Sequence, residues 1–346
     1  MSQTPILKKS ICILRLSSIG DITHMIPIVK TLHSFDPKLD ITWIINKTEY
    51  SLVKNIKNIK FLVLDKTSWL ENIRLMIKLR KLGTFDILLH MQVSFRANLI
   101  SLFINASKKV GFNSHYSKNL HSLFINETID CSANKHVLDV FFSFIEKIGI
   151  KSRTLDWDIS IPENNIKTNI SNEKYIVINP FTSIRRFNYR EWKKDNYKEI
   201  IQYIHKKYDL DIIIVGGNSN YEIDNAKIFE TYGSYIRNIV GKTTLIDLYN
   251  LLRNCRLYIG PDSGTLHIAS MLSKPVIGLY ATSNPNRTGP YKNNSFVINK
   301  YPEAMMKYND KNIGQAKWGE RIRNKNAMDL IKPSDVINKI DEVLSI

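Results

Sequence analysis

Ile259-Gly260-Pro261-Asp262-Ser263-Gly264-Thr265-Leu266-His267-Ile268-Ala269, continuing to Arg287-Thr288-Gly289-Pro290-Tyr291, is the stretch from which the fold can be read. Before it, Arg256-Leu257-Tyr258-Ile259 is a short apolar run of strand type. After it, Leu266, Ile268, Ala269, Met271 and Leu272 recur at helical spacing. Asp262 or Ser263 suits the N-cap, and Lys274-Pro275 stops the helix. Val276-Ile277-Gly278-Leu279-Tyr280 then reads as the next strand. A strand, a tight glycine turn and a capped helix start leave unpaired main-chain N–H groups facing a crevice. Such a turn is a ready site for an anion, most often phosphate. An ordinary capped strand–helix junction has the same shape. The Asp-Ser-Gly-x-x-His pattern and the later Thr-Gly-Pro-Tyr favour the anion site.

The chain on either side repeats this alternation. Ile11 to Leu16 reads as a buried strand, Ser17-Ser18-Ile19-Gly20-Asp21 as a turn, and Ile22 to Val29 as the start of a helix. Asp21 is either the N-cap or a side chain presented at the strand's carboxyl end. Pro27 implies a kink, or a helix restarting with Pro27 in its first turn. Strands are expected at 39–45, 60–64 and 85–90, with a basic amphipathic helix over 69–81 bearing Arg74, Lys78, Arg80 and Lys81. A helix over 136–149 closes this half. Strands at 175–180 and 211–217 then alternate with helices at 192–207, 221–229 and 244–254, and a terminal helix covers 329–344.

Strands alternating with helices mean a mostly parallel α/β sheet. At 346 residues the chain is long for one core and comfortable for two domains. Residues 1–165 are expected to form the first and 172–328 the second, joined by the polar stretch from Pro162-Glu163-Asn164-Asn165 to Glu173. The helix at 329–346 is left free to pack back on the first. Ligands bind at the carboxyl ends of such strands, so two domains of this kind imply a cleft.

Composition narrows the partners. Forty-nine Lys and Arg against 32 Asp and Glu give a formal charge of +17. That balance favours nucleic acid, an anionic membrane face or phosphorylated ligands. No apolar run reaches the roughly 18–20 residues of a membrane span, and Arg15 interrupts the apolar run at the N-terminus. No signal peptide or anchor is expected. Cys12, Cys131 and Cys255 are far apart and odd in number, which fits a reducing cytoplasm better than a disulfide framework or zinc site.

The segment Ser17-Ser18-Ile19-Gly20-Asp21-Ile22-x-His24-x-x-Pro27 and the segment Asp262-Ser263-Gly264-x-x-His267-x-Ala269, with Pro275 and Gly278 downstream, together resemble the two signatures of family 9 glycosyltransferases, in particular the lipopolysaccharide heptosyltransferases. Gly217 with Glu222 is similar to that family's Gly-x-x-x-x-Glu. The matches run through both halves in the family's order. The segments 301–304, 318–323 and 327–331 resemble one bacterial subgroup within it.

The resemblance implies a GT-B architecture of two facing Rossmann-like domains, the first holding the acceptor and the second the nucleotide sugar. It further implies inverting transfer of L-glycero-D-manno-heptose from ADP-heptose to Kdo of the lipopolysaccharide inner core. No metal or other cofactor is expected, since the ADP-sugar is a substrate. The expected partners are ADP-heptose, a Kdo-lipid A type acceptor and the anionic inner-membrane surface, with the protein peripheral at its cytoplasmic face. No nucleic acid is expected.

Inverting transfer needs a base for the acceptor hydroxyl, and positive charge or N–H donors on the departing diphosphate. By resemblance Asp21 is the base; its alternative is a helix cap without chemistry. Ser263, Gly264 and Thr265 offer N–H groups at a positive helix end, and His267 and Asp262 match donor-contacting residues of the family. Thr182-Ser183-Ile184-Arg185-Arg186 follows the first strand of the second half, where family members place a phosphate-binding Lys. Arg185 or Arg186 can replace it as a bidentate clamp; the alternative is a solvated basic loop. Glu222 would bond the ribose hydroxyls, or else be a first-turn acid. Gln92 and Arg96, at a strand mouth, and Ser18, Gly20 and His24 in the first signature are the acceptor-side candidates. The basic helix at 69–81 reads as a landing face for phosphorylated lipid.

Three other readings compete. A same-fold glycosyltransferase could use another nucleotide sugar, since no residue here reads base or sugar directly. A non-enzymatic nucleic-acid binder fits the charge, but no helix-turn-helix, RNP or zinc-finger signature supports it. A nicotinamide-dependent enzyme would need a Gly-x-Gly-x-x-Gly after a strand, and none is present.

Overall fold

The computed structural model describes residues 10–345 except 66, 119, 163–173 and 292–295, and except the side chain of residue 69. The chain divides into two compact units, Met1–Ile161 and Pro162–Ile346. The expected linker at 163–173 lies outside the described residues.

The first unit runs β1 (Ser10–Leu14), α1 (Ile19–Phe35), β2 (Asp40–Asn46), α2 (Lys47–Val53), β3 (Ile59–Leu64), α3 (Trp69–Lys81), β4 (Phe85–His90), α4 (Phe95–Ser101), β5 (Ala106–Gly111), a 3-10 turn (His121–Phe124), β6 (Glu127–Thr128) and α5 (Val137–Lys147). Its six strands lie in the order β3-β2-β1-β4-β5-β6, every pair parallel. Strands that carry helices on both faces are buried on both sides. This is why β1 reads Ile11-Cys12-Ile13-Leu14 without alternation, each residue no more than 1% exposed.

The second unit runs β7 (Tyr175–Ile178), α6 (Lys194–Tyr208), β8 (Asp211–Ile214), α7 (Asn220–Glu230), β9 (Ile236–Asn238), α8 (Leu245–Asn254), β10 (Leu257–Pro261), α9 (Gly264–Met271), β11 (Val276–Tyr280), α10 (Pro285–Thr288), β12 (Ile298–Asn299), α11 (Tyr301–Asn309) and α12 (Pro333–Leu344). Its sheet, β12-β11-β10-β7-β8-β9, is again wholly parallel. Read from its own first strand, it has the same order as the first sheet. Each sheet therefore reverses direction once, between β1 and β4 and between β7 and β10. Such a reversal opens a crevice at the carboxyl ends of the two central strands.

Several expectations change. Pro27 does not restart a helix: α1 is continuous from Ile19 to Phe35 with the proline inside it. Burial of Met25, Ile26, Ile28 and Val29 around the proline outweighs the one main-chain bond it removes. The terminal helix does not begin at Asp329. A 3-10 turn spans Ala327–Leu330, and α12 starts at Pro333, which suits the first helical position and keeps Lys332 extended. Val336, Ile340 and Val343 of α12 are buried in the core of the second unit, and Asp341 accepts hydrogen bonds from Tyr203 and Tyr208 of α6 at 2.7 Å. No helix among the described residues is long and apolar enough to cross a membrane.

Candidate active site

Each crevice holds part of the expected site. In the first unit, Ser18 caps α1 and Asp21 is the third helical residue, so Asp21 is not the N-cap. Its Oδ2 accepts from the Ser18 N–H at 3.1 Å and the Ser18 hydroxyl at 2.9 Å, and it is ion-paired with Arg15. Arg15 is 8% exposed. It also donates to the Met91 carbonyl at 2.5 Å, and its guanidinium lies over the Phe141 ring at 5.0 Å. A buried guanidinium needs such partners, because its charge costs several kcal/mol to desolvate. The loop after β1 is fixed from β4: the Gln92 side-chain oxygen accepts from the Leu16 and Ser17 N–H groups at 2.6 and 3.2 Å. Gln92, expected on the acceptor, thus has its carbonyl engaged in shaping the loop that carries Asp21. Gly20 and His24 are buried, with the His24 ring edge-on to His136 at 5.3 Å. Ser18 is exposed, and Arg96 is half-buried in the first turn of α4.

In the second unit Ser263 is the cap of α9. Its hydroxyl accepts from the Leu266 N–H at 3.4 Å and lies 3.3 Å from the Tyr258 hydroxyl. Asp262 does not cap. It is 5% exposed, and its carboxylate accepts from the Ser283 hydroxyl at 2.9 Å and the Thr288 hydroxyl at 3.4 Å. Arg190 donates to the Asp262 carbonyl at 2.6 Å, and His267 Nε2 stands 3.7 Å from the carboxylate. Burial alone would raise the pKa of Asp262. The neighbouring His267 ring and the charges of Arg190 and Arg321 outweigh it and hold the carboxyl well below its usual range.

Arg190 and Arg321 act on this carboxylate, and further cations lie near Arg321. Arg321 is exposed as a residue, but desolvation of its guanidinium, then the like charges of Arg190, Arg287 and Arg185, lower its pKa, while Asp262 opposes the shift. Arg321 is held there because Ile322 N–H donates to the Thr282 carbonyl at 3.0 Å and the Tyr301 hydroxyl donates to the Glu320 carbonyl at 2.9 Å. Of the adjacent pair, Arg185 is the one whose charge reaches Arg321; Arg186 lies over Phe187 at 4.7 Å. Thr182 is buried, with its hydroxyl 3.0 Å from Asn188 Nδ2, and Ser183 is exposed with its carbonyl accepting from the same amide at 2.7 Å. At the mouth of β7, Asn179 donates to the Thr265 hydroxyl at 3.0 Å. Guanidinium groups converging on a helix N-terminus can neutralise a diphosphate.

Glu222 sits in the first turn of α7, and its carboxylate turns back to accept the Gly217 N–H. Burial raises its pKa against the opposing effect of that hydrogen bond. Among the described residues no group of three or more His, Cys, Asp or Glu could hold a metal ion.

Sequence reasoning missed Arg15, Asn179, Arg190 and the role of Arg321. A signal for the first existed: an arginine inside an apolar strand run must be buried and so must be paired. Arg190 and Arg321 carried none, because only the fold brings them to Asp262.

Two Rossmann-type units, one presenting a carboxylate and the other a cationic anion site, define a nucleotide-dependent group-transfer enzyme. The glycosyltransferase family 9 (heptosyltransferase) model matches residues 73–316, and the chain belongs to that family. It is 33% identical over 340 residues to the lipopolysaccharide core heptosyltransferase OpsX of Haemophilus influenzae, covering 97% of each chain. Among solved structures it is similar to the E. coli heptosyltransferase WaaC with ADP (TM-score 0.74, 17% identity, 96% of this chain and 99% of that one). It is also similar to the same enzyme with ADP-2-deoxy-2-fluoro heptose (TM-score 0.72, 16% identity, 96% and 99%). The fold class is GT-B, and the protein is a glycosyltransferase.

Proposed function

We propose that the protein transfers L-glycero-D-manno-heptose from ADP-heptose to Kdo of the lipopolysaccharide inner core, with inversion. The observation that carries this reading is Arg190 held on Asp262 beside the N-terminus of α9, with the charge of Arg321 acting on the same carboxylate and Arg185 and Arg287 near Arg321. Likeness over 97% of the chain to a lipopolysaccharide core heptosyltransferase supports the sugar and the acceptor class.

The acceptor hydroxyl oxygen attacks the anomeric carbon, the bond from that carbon to the β-phosphate oxygen breaks, and the electron pair leaves with ADP. The hydroxyl proton passes to Asp21, which Arg15 and Ser18 hold at the carboxyl end of β1. Charge growing on the leaving phosphate oxygen is met by the arginines, with Arg185 as the clamp, and by the Gly264 and Thr265 N–H groups. Glu222 accepts ribose hydroxyls once its carboxylate swings from Gly217, and His267 and Asp262 keep Arg190 aimed at the phosphates. Ser18, Gly20, His24, Gln92 and Arg96 shape and line the acceptor side. The reaction uses no cofactor. The enzyme works in the cytoplasm at the anionic inner-membrane surface, where its glycolipid acceptor lies.

The test is mass spectrometry of a defined Kdo-containing acceptor incubated with ADP-heptose. A gain of one heptose is expected. Transfer from a different nucleotide sugar alone, with ADP-heptose inert, would replace the donor assignment.

A further inference from the structure

The outer surface of α3 and α4 in the first unit is unusual. α3 sends Leu79 into the core, with Leu75 and Met76 packed beside it. At about 100° per residue, Leu70, Ile73 and Ile77 fall within about 60° of one another on the opposite side. They are 53%, 42% and 52% exposed. The same geometry puts Arg74, Lys78 and Lys81 along one flank of this stripe and Arg80 along the other. α4 repeats the arrangement. Ala97 and Ile100 enter the same core, while Phe95, Leu99 and Leu102 form an exposed outer stripe.

The two helices are neighbours, since their inner sides share one core and Arg80 lies over the Phe103 ring at 5.1 Å. The 3-10 turn His121–Phe124 packs against α4, and Leu120 and Leu123 are exposed there as well. Single exposed apolar side chains are ordinary, but a contiguous set on adjacent elements marks a binding surface. The charge is one-sided as well: from Leu70 to Leu123 the chain carries eight Lys and Arg against Glu71 and Asp86. A second copy of the chain would set this positive charge against itself, whereas an anionic surface complements it.

We propose that this face docks the enzyme on an anionic bilayer, its Leu, Ile and Phe side chains entering the interfacial layer and its cationic flanks lying among the lipid phosphates. The proposal rests on the reading of the acceptor as a membrane glycolipid, and it makes attachment apolar as well as electrostatic. Because α3 and α4 follow β3 and β4, Leu70 and Phe95 stand at the carboxyl edge of the sheet that carries Asp21.

The test is cosedimentation of the full chain with vesicles of phosphatidylethanolamine and phosphatidylglycerol, and with phosphatidylcholine alone. The wild type is expected to bind the anionic vesicles and to keep part of that binding in about 0.5 M salt, where screening is nearly complete. An Ile73→Gln, Ile77→Gln, Leu99→Gln variant should bind about tenfold more weakly or worse. Arg74→Glu with Lys78→Glu should abolish the preference for anionic lipid. Both variants should melt like the wild type and keep its turnover on a lipid-free Kdo acceptor. If the glutamine variant bound like the wild type, if salt removed all binding, or if the folded wild type bound no vesicle or only itself, the proposal would fall. Vesicle binding by a protein that transfers nothing to Kdo would instead overturn the acceptor reading and leave the docking face standing.

Discussion

Arg190 of the segment after β7 donates to the main-chain carbonyl of Asp262 at 2.6 Å and lies 3.4 Å from its carboxylate, so the ends of β7 and β10 act as one unit. The carboxylate serves the cation set and the helix start together. It gives Arg190 an electrostatic reason to stay beside a site crowded with like charge, and it holds Ser283 of the loop after β11 and Thr288 of α10.

Asp262→Asn should therefore destabilise the second unit by about 3 kcal/mol, because it leaves a buried guanidinium without its counter-charge. The folded pKa of Asp262 is depressed, so its contribution is fully present above the ordinary carboxylate pKa of about 3.9. It is lost as pH falls from there toward the folded value. Denaturant melts of wild type and variant should differ most at neutral pH and converge in acid; a constant gap would refute the pairing.

Asp21→Asn should lower transfer by about 10²–10⁴-fold, the usual worth of a general base. Titration calorimetry should find ADP-heptose binding within about threefold of wild type, since a transition-state role leaves ground-state binding intact. Near-normal turnover would reduce Asp21 to its part in the α1 capping box.

Arg185→Glu and Arg186→Glu separate two neighbours that the sequence leaves equivalent. The first should weaken ADP binding about tenfold or more, on the scale of a lost charge-assisted hydrogen bond. The second should change it little, because Arg186 is spent on Phe187. Equal effects would move the clamp.

Gly260→Ala should be among the more costly single changes in the second unit. A Cβ there would lie 2.5 Å from the Tyr258 hydroxyl and 2.7 Å from the Asn179 carbonyl, and the second is main chain that cannot step aside. Overpacking of this kind costs about 1–3 kcal/mol, read as a drop in Tm. Gly217→Ala meets only the far end of the Glu222 side chain, at 2.7 Å. It should spare stability and alter ADP affinity instead.

What the sequence revealed followed how strongly each residue's neighbours in the chain constrain it. The strands β1, β10 and β11 are built on continuous apolar runs, and β4 on Ile87-Leu88-Leu89, and they were legible as such. β5, Ala106–Gly111, was not, because Ser107, Lys108 and Lys109 hide a strand whose partners lie elsewhere in the sheet. The two signature turns were legible because caps and glycines act locally, and of the two candidate caps at the second turn the structure takes Ser263 and not Asp262. At the first turn Ser18 takes the cap, and Asp21 turns back on it from the third helical position. Arg190 and Arg321 were silent for the opposite reason: their partner is 72 residues away in one case and reached through Thr282 and Tyr301 in the other. The wide α3 stripe was legible as basic, but its exposed apolar half needs the fold to show which side faces the core.

Both sheets carry the strand order 3-2-1-4-5-6, and each has its own core. The residues proposed for attack all fall between Arg15 and Arg96, and those proposed for departure between Asn179 and Arg321. Inheritance can act on these two sets separately: a lineage can acquire a new acceptor by altering the first half while its leaving-group chemistry stays fixed in the second, whose strands pack on a core of their own.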